Sequence, residues 1–201
     1  MVSPLPRLDL FPDSARVAAD GHLHLAGLDT VHLAEEFGTP LYLYDAATLR
    51  ARLGAYREAL STSYRAAACV AYAAKAFFCT AVAQWVAAEG LDLDVVSGGE
   101  LYVALHGGVP AARIHFHGNA KSPEELAFAL EAGVGRIVVD NFYELELLSH
   151  LAAQRKMRAA IWLRLSPNVD AHTHAYRKTG LLDSKFGFPL ATGDALRAVR
   201  R

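Results

Sequence analysis

Cysteine is scarce: Cys69 and Cys79 are the only two in 201 residues. Two thiols do not build a disulfide framework, so the sequence predicts a reducing, cytoplasmic setting. Charge of one sign is also missing. Lys and Arg number 20 against 21 Asp and Glu, a formal net charge of −1. That balance speaks against a nucleic-acid partner, which a basic excess would signal. No long hydrophobic run is present. The apolar stretch 66–74 is far shorter than the roughly 20 residues a spanning helix needs, so no membrane is expected. The first residues, Met1-Val-Ser-Pro-Leu-Pro-Arg7, hold no basic segment followed by a long apolar one, and no secretory leader is expected. No Gly-x-Gly-x-x-Gly follows a strand pattern, so a dinucleotide site has no support. What is present is a hydrophobic share of 53%, enough for one domain with a sizeable core. Such a chain suits a small-molecule enzyme or a plain interaction domain.

Residues 1–20 carry three prolines and no period, and read as an irregular lead-in. Asp20-Gly21 marks a turn before a short strand over 22–26. A helix follows, with Thr30 as its expected N-cap, Leu33, Ala34 and Phe37 as its stripe and Gly38 at its stop. Strand and helix patterns then alternate. Strands are expected at 41–44, 68–73, 91–96, 113–117, 136–139 and 159–165. Helices are expected at 46–60, 79–88, 99–106, 123–132 and 143–154. That alternation is the rhythm of repeated βα units. Ser122-Pro123-Glu124-Glu125 has the form of a capping box, and Gly90 and Gly133 close the helices before them. The strands read as apolar on both faces, as in a parallel sheet covered by helices. Two α/β architectures use this rhythm, the (β/α)8 barrel and the open doubly wound sheet. About six parallel strands precede residue 166, short of the eight that a closed barrel needs.

Four segments could carry chemistry. Lys75, in Val70-Ala-Tyr-Ala-Ala-Lys-Ala-Phe-Phe, follows an apolar strand. A lysine there is ordinarily a snorkelling side chain with a wet ammonium. It is also where a barrel places a catalytic group, and an apolar surround favours the neutral amine that imine formation requires. Asp94-Val-Val-Ser97-Gly98-Gly99-Glu100 joins a strand to a helix. Ser97 suits an N-cap, and the backbone amides could face an anion. His115 and His117 fall on one face of a strand, and His172-Thr-His174 repeats their spacing. A metal site on these pairs lacks a nearby Asp or Cys to complete a zinc set, so no metal is assigned. Arg164 lies inside an apolar strand and needs a partner, because a buried unpaired charge is costly. The polar stretch 166–184 is long enough to be functional.

Taken together these segments resemble the fold-type III pyridoxal-phosphate (PLP) decarboxylases, with their alanine-racemase-like barrel. Tyr72-Ala-Ala-Lys75-Ala matches the lysine motif, and Asp94-Val-Val-Ser-Gly-Gly-Glu100-Leu follows at the family's spacing. His117-Gly-Asn-Ala-Lys121-Ser, Val139-Asp140-Asn141 with Glu144-Leu145, and Asn168-Val-Asp-Ala-His-Thr-His174 continue in order. Thr179-Gly180 and Ser184-Lys185-Phe-Gly187 complete the series. Asp20-Gly-His-Leu and Phe37-Gly-Thr-Pro-Leu-Tyr-Leu-Tyr-Asp45 also have counterparts. The Asn168–His174 and Ser184–Gly187 elements favour the diaminopimelate branch over the ornithine and arginine branches.

The resemblance implies a partial (β/α)8 barrel, truncated after about six strands. Residues 29–201 would form the incomplete PLP-binding barrel. Residues 1–28 would be a lead-in and a strand belonging to a C-terminal β domain. It implies Lys75 as the residue holding PLP, Asp94 and Arg164 near the cofactor, and Lys185 at a homodimer interface that shapes the active site. The implied reaction turns the amino acid meso-diaminopimelate into L-lysine and carbon dioxide, the last step of lysine biosynthesis. The ring-stacking histidine, the glycine-rich phosphate loop and the acid facing the ring nitrogen would come after residue 201, so the chain is expected to be a fragment inactive alone. Rival readings are another reaction on this scaffold (alanine racemase, D-ornithine or D-lysine decarboxylase, carboxynorspermidine decarboxylase), a non-catalytic PLP-binding protein, and a metal-binding domain built on the His-x-His pairs.

Overall fold

The structure, a computed structural model, describes residues 7–169 and 186–201. The chain divides into two compact units, Met1–Ala68 and Cys69–Arg201.

The first unit holds an antiparallel meander of β1 (Arg16–Val17), β2 (Leu23–Leu25) and β3 (Leu28–Asp29), then α1 (Thr30–Phe37) and α2 (Ala46–Ser63). The N-cap of α1 is Asp29, not Thr30. Asp29 ends β3 in an extended conformation and its carboxylate accepts from the Val31 amide at 2.8 Å. Thr30 takes the first helical position, and its hydroxyl donates to the Leu23 carbonyl. Gly38 stops the helix at φ +82°. Residues 41–44 are not a strand. Their side chains suit a pleated surface, but no described strand pairs with them, and a strand exists only through its ladder. Neither α1 nor α2 buries a residue.

The second unit follows the expected rhythm closely. Its strands are β4 (Ala71–Ala73), β5 (Asp92–Val95), β6 (Ile114–Phe116), β7 (Arg136–Val139) and β8 (Ile161–Leu163). Its helices are α3 (Thr80–Ala88), α4 (Gly98–His106), α5 (Pro123–Ala132) and α6 (Phe142–Arg155). All five strands pair in parallel, in the order β4-β5-β6-β7-β8. An open doubly wound sheet reverses its strand order at a switch point; this one does not, and so it is the arc of a barrel. At Arg164 the chain leaves β7 and, as β9 (Leu165–Ser166), pairs in parallel with β10 (Phe188–Pro189). The helix α7 (Asp194–Arg200) follows.

The core lies between the sheet and its helices. Leu93 and Val95 of β5, Ile114 and Phe116 of β6, and Ile137 and Val139 of β7 are buried there. Val86, Leu101, Leu126 and Leu148, one from each of α3 to α6, are buried as well. The expectation of apolar residues on both strand faces holds along Ile137–Val139 of β7 and on β8, and is corrected on β5 and β6. On β5 burial alternates, and Asp92 and Asp94 occupy the other face. The inner wall of a barrel arc is where polar side chains gather, and His115 lies there beside them. Helix ends are closed as expected. Ser122 and Glu125 form a reciprocal capping box, and Gly133 ends α5 in the left-handed region. Gly90 ends α3 at φ +68°.

Candidate active site

The C-terminal ends of β4 to β8 and the turns after them carry the polar residues. Lys75 sits in a single 3-10 turn, Ala74–Ala76, directly after β4. Its side chain is exposed. The turn is clamped from below: the Tyr72 hydroxyl, on β4, donates to the Phe77 carbonyl at 2.7 Å. That clamp was not anticipated from the sequence. A tyrosine three residues before the lysine was the available signal.

The next turn, after β5, is organised by carboxylates. The Ser97 hydroxyl caps α4 by accepting from the Glu100 amide. The Glu100 side chain returns to accept from the Val96 amide at 2.7 Å. Glu125 accepts from both the Ser122 amide and the Gly98 amide, at 2.9 and 2.6 Å. The anion that the Gly98 amide faces is therefore Glu125 of the neighbouring helix. Ser97-Gly98-Gly99 is first of all a structural cap here.

Asp94 on β5 lies opposite His115 on β6 in the sheet register. Its carboxylate stands 3.4 Å from Nδ1 of His117. Gly118 follows at φ +99°, and a Cβ there would meet the Val96 carbonyl oxygen at 2.8 Å, so only glycine brings the chain this close to β5. Beyond it the chain turns Lys121 inward. Lys121 Nζ donates to Glu144 at 2.5 Å, to the Gly118 carbonyl at 2.7 Å and to the Val138 carbonyl at 2.8 Å. All three ammonium protons are used. Burial pushes the Glu144 carboxyl up, and Lys121 pulls against it. The lysine of the His117–Lys121 motif is thus a structural strut between the β6–α5 loop and the start of α6.

Arg164 finds the partner its position requires. Its Nη1 donates to Asp140 at the end of β7, at 3.2 Å, and its guanidinium lies 4.3 Å from the Phe186 ring centre. The Asp140 side chain is fully buried, and its Oδ2 has no hydrogen-bond partner among the described residues. Gly187, at φ +73°, lets the chain pass over the Arg164 carbonyl, where a Cβ would come within 2.8 Å.

These groups wall one cleft of about 480 Å3, a size suited to a small molecule or cofactor. Ala71, Ala73, Asp94, His117, Trp162 and Arg164 line it. The sheet thus brings Asp94 and Arg164 to the same cleft. Lys75 lies on the turn that follows the strand of Ala71 and Ala73. A larger groove of about 680 Å3 runs between α6, β8 and α7, but its walls are mostly apolar, with Leu148, Ala152, Ile161 and Ala198 among them. Its charged residues are Arg158 and Arg201, with no carboxylate or amine beside them, and it is not the site. Deeper on the inner wall, Cys69 and Asp92 stand beside His115. The sequence expectation that no Asp or Cys adjoins the histidines is therefore corrected: Asp92 of β5 and Cys69, just before β4, are distant from His115 along the chain but beside it in space. His172, His174 and Lys185 lie outside the described residues.

Comparison with known proteins agrees with this geometry. Residues 46–201 match the family described as pyridoxal-dependent decarboxylase, pyridoxal binding domain. Diaminopimelate decarboxylase of Halalkalibacterium halodurans is 51% identical over 191 residues, 95% of this chain and 43% of that protein. The enzyme of the same name from Mycobacterium tuberculosis is 46% identical over 181 residues, 90% of this chain and 40% of that protein. The crystal structure of diaminopimelate decarboxylase from M. jannaschii superimposes with a TM-score of 0.85 at 36% identity, covering 94% of this chain and 44% of that one. The chain spans less than half the length of these relatives. The chain belongs to the pyridoxal-dependent decarboxylase family, whose pyridoxal binding domain its residues 46–201 match.

Proposed function

We propose that the protein carrying this chain is a PLP-dependent carboxy-lyase that converts meso-diaminopimelate to L-lysine and carbon dioxide, with Lys75 as the cofactor-bearing residue. The observation that carries the substrate is the 51% identity to a diaminopimelate decarboxylase over 95% of the chain. A related structure, 35% identical, was solved in co-complex with L-lysine.

The residues present fit the cofactor. Lys75 offers a primary amine at the C-terminal end of a barrel strand, where this architecture keeps its chemistry. The cleft that follows β4 is wide enough, and His117, one of its lining residues, has a buried Nε2 with no hydrogen-bond partner among the described residues. Such atoms are costly unless a ligand satisfies them. When bound, PLP supplies an electron sink for the pair left behind as carbon dioxide departs.

The chain's own residues do the rest. Lys75 would hold the cofactor through its side-chain amine, and the Tyr72 clamp fixes the turn that carries it. Asp94 holds the His117 ring through Nδ1, which leaves Nε2 of this cleft-lining residue unpaired among the described residues. Asp140 and the Phe186 ring hold the Arg164 guanidinium at the cleft wall, where it can pair with an anionic group.

Residues 1–28 are proposed to join a C-terminal β domain, and residues 29–201 to be the N-terminal part of the barrel. Lys185 is proposed to lie at a homodimer interface, and the cytoplasm is the proposed compartment. Among the described residues no helix is long and apolar enough to cross a membrane.

Two measurements test the proposal. Borohydride reduction of the PLP-loaded protein, followed by peptide mapping, should place a pyridoxyl group on Lys75; an adduct on another lysine overturns that assignment. Carbon dioxide release should be far faster from meso-diaminopimelate than from ornithine or arginine. The reverse order would sink the substrate while leaving the family intact.

A further inference from the structure

Ala71, Asp94 and His117 line the cleft. Two residues earlier in each of the same three βα units come Cys69, Asp92 and His115, at equal spacing along the chain. No step of the proposed reaction uses them.

Their geometry is tight. Nε2 of His115 lies 2.8 Å from Oδ2 of Asp92. The Cys69 thiol lies beside the same carboxylate. One ligand atom from each side chain lies within 4.8 Å of the other two. The His115 ring is nearly buried and stacks on Trp162, with centroids 4.7 Å apart, so its orientation is held. Cys69 is exposed, which leaves an open side to the group.

We propose that Cys69, Asp92 and His115 form a binding site for a borderline divalent cation, Zn2+ above all. A sulfur, an imidazole nitrogen and a carboxylate oxygen are the zinc donor types, whereas Mg2+ and Ca2+ take oxygen ligands. Three protein ligands leave the fourth tetrahedral position to water, on the open side. Asp92 now holds the His115 ring nitrogen, and the cation takes the place of that hydrogen bond. The Cys69 proton leaves to solvent, and the His115 proton resides on Nδ1, freeing the Nε2 lone pair. Affinity therefore rises with pH, as for any site whose ligands lose protons on binding. A bound ion would stand directly beneath the cleft, since His115 also lines it.

The test uses the intact protein freed of metal by a chelator. Titration with Co2+ should give one equivalent bound and a thiolate-to-cobalt charge-transfer band in the near ultraviolet. Zn2+ competition should remove that band. The near-isosteric variant Cys69→Ser should abolish the band, and His115→Gln should weaken binding by about tenfold or more. A second readout needs no variant. Zn2+ should slow alkylation of Cys69 and leave that of Cys79 unchanged. Absence of the band, equal alkylation of Cys69 with and without Zn2+, or binding that survives Cys69→Ser would overturn the proposal. The last result would place the ion elsewhere, for example at the Asp20, His24 and Asp29 group of the first unit.

Discussion

Lys121 and Glu144 form an ion pair at 2.5 Å with side chains 1% and 4% exposed, and the lysine spends its other two protons on the Gly118 and Val138 carbonyls. The pair ties the β6–α5 loop, which follows His117, to the first turn of α6, where Asn141 caps the helix by accepting from the Glu144 amide. Removing one partner strands the other charge in the interior. Lys121→Met should therefore cost about 3–5 kcal/mol in urea unfolding. Loss of the lysine also removes what holds the Glu144 carboxyl down against burial, so the variant should bind a proton at Glu144 at higher pH than the parent. With the folded value raised above the unfolded one, its stability should fall as pH rises through the folded value. The double variant Lys121→Met/Glu144→Met should recover part of the loss and the pH dependence should vanish. If the two single variants were each nearly neutral, the pair would not be a strut.

Tyr72 and the turn of Lys75 give a sharper test of positioning. The Tyr72 hydroxyl donates to the Phe77 carbonyl, which closes the turn over Ala74–Ala76. Tyr72→Phe keeps the ring and deletes one hydrogen bond, a change worth about 1 kcal/mol. If that energy holds Lys75 in place, kcat should drop about fivefold with KM little changed. Borohydride trapping should still mark Lys75, more slowly. A fall in stability with unchanged kcat would make the clamp a fold contact only.

The βα rhythm of the second unit was legible because each unit signals its own ends locally. The capping box of Ser122 and Glu125 and the left-handed Gly133 are readable within four or five residues. What was not legible depends on partners far along the chain. Asp29 and Thr30 both suit an N-cap, and only the end of β3 decides between them. Residues 41–44 have strand composition, but a strand needs a ladder. The pairs Asp140–Arg164, Lys121–Glu144 and Asp92–His115 each span about one βα repeat, and register brings them together. A partial signal was available. Asp92 and Asp94 alternate with Leu93 and Val95, so one face of β5 is charged; a strand apolar on both sides would not show that.

Arg164 carries a third prediction. Its Nη1 is the hydrogen-bond donor to a carboxylate with no exposed surface, and its planar face covers Phe186. Arg164→Met should cost about 2–3 kcal/mol, because Asp140 loses a charged partner while the arginine itself was partly exposed. Arg164→Lys should restore the charge but lose the stacking on Phe186, worth about 1 kcal/mol. Asp140→Asn in the parent should cost less than Arg164→Met, since a neutral amide is cheaper to bury than an unpaired carboxylate. Urea midpoints of the three variants order these effects. A Lys variant as stable as the parent would refute the stacking contribution.

In the first unit Asp45 links the lead-in to α2. Its carboxylate accepts from the Ser14 hydroxyl at 2.6 Å and the Thr48 hydroxyl at 2.8 Å, and from the Ala47 and Thr48 amides at 2.9 and 3.3 Å. Ser14 in turn accepts from the Ala26 amide. The Ser14 hydroxyl, then that of Thr48, holds the Asp45 carboxyl below its ordinary value. With the folded value below the unfolded one, the unfolded chain binds the extra proton as pH falls. The stabilisation is thus complete above the ordinary carboxylate value of about 3.9 and is lost as pH falls through the lower folded value. Asp45→Asn removes the charge while keeping a side-chain oxygen for the cap. The stability gap between parent and variant should be widest near neutral pH and close in acid. Stability curves collected from neutral pH down to the acid limb measure it, and a gap that stayed constant with pH would show that the charge of Asp45 contributes nothing.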